Sequence, residues 1–182
     1  MLPAPTLKVL YHSFIQPHIL YGLPAWGGCN SQNSKRIITI QKRAIRTITK
    51  SYFSAHTEPR MKELGLLKFS DLYEQQCLML THDCFYHRAP QMIAERISMP
   101  NIDYNLRGQA QNPLDLRLPY FKSRAANSSF SAKAFWNNTL VELRKIDQKP
   151  LFKRNLKKSI LNRYDYKTDC NNPRCRDRRH HS

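Results

Sequence analysis

Apolar residues recur at helical spacing along most of the chain, and the sharpest case is Ser34 to Lys50, SKRIITIQKRAIRTITK. On a helical wheel Lys35, Arg36, Lys42, Arg43, Arg46 and Lys50 share one arc, while Ile37, Ile38, Ile40, Ala44, Ile45 and Ile48 share the other. No acidic residue interrupts the stretch, so its cations cannot pair along their own helix and stay available to an outside anion. The plainer reading of such an arc is a solvated outer face.

Other helices follow from the same spacing. Leu7, Leu10, Tyr11, Phe14 and His18 start one near the beginning of the chain, and Pro17 is expected to kink or end it. Ile15, Ile19, Leu20, Leu23 and Trp26 are expected in the core, before a turn at Gly27 and Gly28. Asn30 to Ser34 supplies capping residues for the basic helix. A short helix is expected around Arg60 to Leu64, stopped by Gly65. Ser70 reads as the N-cap of a buried helix with Asp71 in its first turn and Met79, Leu80 and Phe85 in the core, ending by Ala89 and Pro90. Gln91 to Met99 forms a further short helix. Asn101 to Arg124 has no period, and Leu116 to Leu118 suits extended backbone. From Ser128 the spacing of Phe130, Ala134, Leu140 and Leu143 around Trp136 is helical, with a break at Asn137 and Asn138. Pro150 opens a last helix that carries Phe152, Leu156 and Ile160 on one face.

The expected fold is mainly α: a small helical bundle with an irregular middle segment and a loose basic C-terminal tail. Its parts are a helical region over 1–100, an irregular connection over 101–127, C-terminal helices over 128–165 that pack on the first region, and a disordered basic Cys/His tail over 166–182. A length of 182 residues is enough for one domain with a core and too short for two large ones.

Charge changes this picture most. Thirty Lys and Arg against 13 Asp and Glu give a formal charge of +17 and a pI near 10.0, which points to a polyanionic partner. Mean hydropathy is −0.63, no apolar run is long enough to cross a bilayer, and the start has no signal-peptide pattern. Nucleic acid is therefore the expected partner rather than membrane, and the expected location is intracellular and nuclear. Lys153, Arg154, Lys157 and Lys158, with Arg163, make a second basic surface for phosphates or for nuclear import. Arg107, Arg117, Lys122 and Arg124, interleaved with Tyr104, Tyr120 and Phe121, suit either a groove along a strand or a loop anchored by its aromatics.

The five cysteines, Cys29, Cys77, Cys84, Cys170 and Cys175, read as thiols, and the sequons at Asn127 and Asn137 as chance matches. Cys77, Cys84 and His87 make a poor zinc set, so the two thiols are expected to act as small core residues. His56 is expected to make a turn-stabilising hydrogen bond rather than to act as a base or ligand. Cys170, Cys175, His180 and His181 are weak metal candidates, because Cys-x4-Cys followed by adjacent histidines departs from the usual chelate spacing. No cofactor is expected, and no P-loop, Gly-x-Ser-x-Gly or His-Glu-x-x-His pattern occurs.

The local order YHSFIQPHILYGLPAWG and IQKRAIRTI resembles the region after the catalytic palm in reverse transcriptases of non-LTR retrotransposons, of the jockey-like kind. AHTEPRMKELGLLKFSDLY, LRLPYFKSRAANSSFSAKAFWN and LFKRNLKKSILNRYD extend the resemblance over most of the chain. It implies a thumb-like region that grips template and nascent strand beside a polymerase site. Such polymerases hold two magnesium ions on palm carboxylates that include an adjacent Asp pair, and this sequence has no Asp-Asp. The resemblance therefore implies a piece lying downstream of the palm, without nucleotidyl transfer of its own. Two other readings stay open: a helical interaction module that docks on an acidic protein or on a parent palm domain, and a decayed element fragment without independent function.

Overall fold

The computed structural model describes residues 2–28, 31–97, 114–116 and 131–164, and among these residues it is helical with no strand. The organising element is Phe69–Phe85, whose buried residues lie on most of its circumference, so other helices must cover it on several sides. In chain order the elements are α1 (Ala4–Leu10), a π-helical turn (Tyr11–Ile15), α2 (Gln16–Leu20), α3 (Leu23–Trp26), α4 (Ser31–Ile48), α5 (Glu58–Leu64), α6 (Phe69–Phe85), α7 (Gln91–Ile97), α8 (Ser131–Asn137), α9 (Val141–Arg144) and α10 (Lys149–Asn162). α2, α3, α4, α7, α8 and α10 all pack against α6.

Pro17 does not end the helical run, which continues to Leu20. The chain widens into the π turn just before the proline, with Gln16 N–H bonded to Tyr11 O, which gives the ring room against the carbonyl of the preceding turn. The turn rotates Tyr11 into the core and leaves Leu10 and Phe14 exposed to solvent. Ile19 and Leu23 are buried as expected, and Trp26 stacks on Phe69 at 5.8 Å between ring centroids. Close approach of α3 to α6 requires glycine at position 27, where a Cβ would lie 2.3 Å from the Tyr73 ring.

α5 stops at Gly65, whose φ is 65°. Ser70 is not the cap of α6: the helix already begins at Phe69, with Lys68 in extended backbone as N-cap. The Tyr164 hydroxyl accepts from the Lys68 N–H and donates to Asp71 Oδ2, so a residue far along the chain sets this helix start. Burial, reinforced by the Asp71 carboxylate, raises the Tyr164 hydroxyl well above the ordinary tyrosine range.

The C-terminal helices close the core. Phe152, Leu156 and Ile160 are fully buried, as their spacing requires, and Trp136 sits beside Phe152 and Phe85. The break between α8 and α9 falls at Asn138–Leu140, and Leu140 is exposed as the residue before α9. Asn137 uses its amide within the fold: Nδ2 donates to Leu116 O and Oδ1 accepts from Leu116 N, both at 2.8 Å. This fixes the short described part of the middle segment, together with Trp136 Nε1–H to Leu114 O and Arg144 to Asp115. The rest of 101–127 and the tail over 166–182 lie outside the described residues.

His82 is buried among Phe152, Tyr86 and Trp136, and donates Nε2–H to Ile146 O at 2.7 Å. Burial holds its imidazole below the ordinary value of 6.5 despite that bond. The unfolded chain therefore takes up a proton here at a pH where the folded chain does not. Stability measured by urea unfolding should fall as pH is lowered through 6.5, and the fall should be shallower in His82→Gln. Parallel pH profiles for parent and variant would show this assignment to be wrong.

Candidate nucleic-acid interface

The roll of α4 about its axis decides which side chains meet solvent. Ile45 and Ile48 are buried and Ile37, Ile38 and Ala44 half-buried, so the apolar arc faces the core. Ile40 departs from this, at 55% exposed, because it lies at the margin of the arc beside Arg36 and Arg43. Gln41 takes the central place instead and is 1% exposed. Its Nε2 donates to the Tyr11 hydroxyl and to Leu67 O, each at 2.9 Å. Burial raises the Tyr11 hydroxyl above the ordinary tyrosine value, and the Gln41 bond offsets part of that rise.

Opposite Gln41, the cations reach water. Lys35, Arg36, Lys42, Arg43 and Lys50 are exposed, and none forms an ion pair among the described residues. The carboxylates that do pair serve other elements: Glu58 and Asp71 face Lys68, Glu74 faces Arg163, Asp83 faces Lys149, Asp115 faces Arg144 and Asp147 faces Arg88. Burial alone would lower Lys68, but its bond to Glu58 and the charges of Asp71, Glu58 and Glu74 hold it above the ordinary lysine value.

α4 begins at Ser31, within the expected capping stretch of Asn30 to Ser34, and ends at Ile48. Lys50 takes a left-handed conformation, φ 50°, Ser51 N–H bonds Arg46 O and the Thr49 hydroxyl donates to Ile45 O, so backbone and side chain together close the end.

Arg46 behaves differently from its neighbours. It is half-buried, donates Nε–H to Ala55 O at 3.1 Å and lies over the Phe53 ring at 5.5 Å. It clamps the loop after α4 and offers only part of its guanidinium outward. That loop presents two aromatic rings beside the cationic face, Tyr52 at 84% exposed and Phe53 at 80%. The sequence reading missed both. Their signal was an adjacent aromatic pair in a polar loop directly after the basic stretch. Between the loop and α4 opens a cavity of about 390 Å³, walled by Lys42, Arg46, His56, Glu58 and Lys68 among others. His56 is exposed there, and among the described residues it makes no hydrogen bond of the turn-stabilising kind expected.

On α10, Lys153, Arg154 and Lys158 are exposed and form no ion pair among the described residues, while Lys157 is half-buried. Arg163 does not join them, since Glu74 holds it at 2.9 Å. Arg107, Arg117, Lys122, Arg124 and their aromatic neighbours lie outside the described residues, as do Cys170, Cys175, His180 and His181.

Cys77 and Cys84 are buried free thiols within α6, and burial pushes Cys77 up to about 11. Among the described residues no group of His, Cys, Asp and Glu could hold a metal ion, and no helix is long and apolar enough to cross a membrane. Comparison with known protein families, curated proteins and solved structures finds no match.

Replacing Gln41 by Leu leaves the Tyr11 hydroxyl and Leu67 O without their donor. The expected cost is about 1–3 kcal/mol, read as a lower urea midpoint at unchanged slope. Unaltered stability would mean that Gln41 does not fix the roll of α4.

Proposed function

We propose that this chain binds nucleic acid through the outer face of α4, without catalysis of its own. The observation that carries the reading is the set of five exposed cations, Lys35, Arg36, Lys42, Arg43 and Lys50, without a carboxylate partner among the described residues, while Glu58, Asp71, Glu74, Asp83, Asp115 and Asp147 pair with cations elsewhere. A row of unpaired cations on a fixed rod suits the regular spacing of backbone phosphates and gains free energy by releasing their counterions. Such contacts position a strand without reading its bases.

Tyr52 and Phe53 add a second mode. Every base has a π face, so two exposed rings beside a phosphate-binding surface can hold unpaired nucleotides irrespective of sequence. The resemblance to the region after the palm of non-LTR retrotransposon reverse transcriptases supports the same reading, with this chain as a thumb-like part of an RNA-directed DNA polymerase. A parent palm domain would then be its protein partner and the nucleus its place of action.

Five or six phosphate contacts correspond to a log–log salt slope of about −4 to −6 for a duplex. The combined variant Lys35→Glu, Arg36→Glu, Arg43→Glu should weaken binding at least tenfold and flatten that slope by roughly three, at unchanged thermal stability. Fluorescence anisotropy on labelled RNA–DNA hybrid across a salt series measures both quantities. Binding that is insensitive to salt, or indifferent to the triple substitution, would refute this function.

A further inference from the structure

A second cavity, of about 170 Å³, lies between the π turn, the residues joining α5 to α6, and α10. It is well below the size that encloses a drug-like ligand, so a small group is what it admits. Lys153 and Lys157 line it from α10, His12 and Gln16 from the first helices, and Gln75 from α6. Neither lysine has an ion-pair partner among the described residues.

Two independent features make this a built site. Gln75 is only 4% exposed, and its Nε2 is buried without any hydrogen-bond acceptor. A buried donor left unmade costs stability, and an acceptor brought by a bound ion or water would complete it. Like charges are also held together here. Burial, and then the neighbouring ammonium groups of Lys8 and Lys153, pull Lys157 below the ordinary lysine value. Both costs are relieved by one kind of guest, an anion rich in acceptor oxygens. His12 donates Nδ1–H to Gln16 Oε1, which leaves the Gln16 amide NH2 as a further donor on the rim.

We propose that this cavity is a binding site for a phosphate group, free or at the end of a nucleotide chain, held by the Lys153 and Lys157 ammonium groups and the Gln75 amide. A tetrahedral oxyanion matches the set, because it accepts from several donors at once while neutralising two adjacent cations. The site does not rest on the α4 face. It holds one phosphate in a recess, whereas α4 offers a row of cations to a polymer.

The test uses the full chain with its lysines reductively dimethylated with a carbon-13 label, which preserves their charge. Inorganic phosphate is titrated in at constant ionic strength, and signals are assigned through Lys→Arg variants. The Lys153 and Lys157 signals should move together on one saturable curve, while those of Lys35 and Lys42 drift without saturating. Gln75→Leu should weaken phosphate binding about tenfold, the loss expected for a hydrogen bond to a charged group, with thermal stability equal to or above the parent. A 5′-phosphorylated tetranucleotide compared with its 5′-hydroxyl counterpart shows whether the phosphate belongs to a strand end or is free. The α4 triple variant should keep the site intact, so loss of duplex binding and loss of this site are read separately. Uniform drift of all lysine signals with neither probe saturating, or undiminished binding by Gln75→Leu, would overturn the proposal.

Discussion

One buried amide governs what this surface can do. Gln41 lies in the middle of an otherwise apolar arc, and its two bonds to Tyr11 and Leu67 are satisfied at one rotational setting of α4. An all-aliphatic face could slide or roll by a fraction of a turn at little cost, since contacts among isoleucines lack direction. A hydrogen-bonded amide cannot, because leaving it unmade costs more than the bond returns. The cations opposite are therefore held in one direction, and the order of the outer face follows from a polar group inside.

The distribution of acids reinforces this arrangement. Glu74, Asp83, Asp115 and Asp147 bind cations far from them in sequence and tie the C-terminal helices to α6 or to the described middle segment. Most of these pairs are partly exposed and individually weak, worth at most about 1 kcal/mol each. Their larger effect is on the field: negative charge is drawn into links between elements, and the exposed cations of α4 are left without a carboxylate partner among the described residues.

How much of this was legible in the sequence depends on whether the deciding partner was near or far along the chain. Phe152, Leu156 and Ile160, the stop at Gly65 and the interruption after Asn137 are local signals, and each holds in the fold. Gln41 was not legible, since its partners lie 30 and 26 residues away and nothing within α4 marks one glutamine as buried. The same reason moved the start of α6 away from Ser70, where Tyr164 supplies what a local cap would have supplied. Pro17 misled because proline in a helical pattern signals a break, while a widened turn absorbs it without one. Of the candidate interface, the cations of α4 were readable from period and sign alone. The inward turn of Arg46 and the rings of Tyr52 and Phe53 were not, because they depend on how the following loop folds back.

The last residue of the cationic row shows a choice between ease of folding and reach. Lys50 occupies a left-handed backbone position that glycine would fill without steric penalty, and an L side chain there costs about 1 kcal/mol. Glycine would end the helix more comfortably and shorten the stripe by one charge at its outermost point, beside Tyr52 and Phe53. The chain accepts a strained backbone position and thereby carries its positive edge one step further, to the border of the two exposed rings.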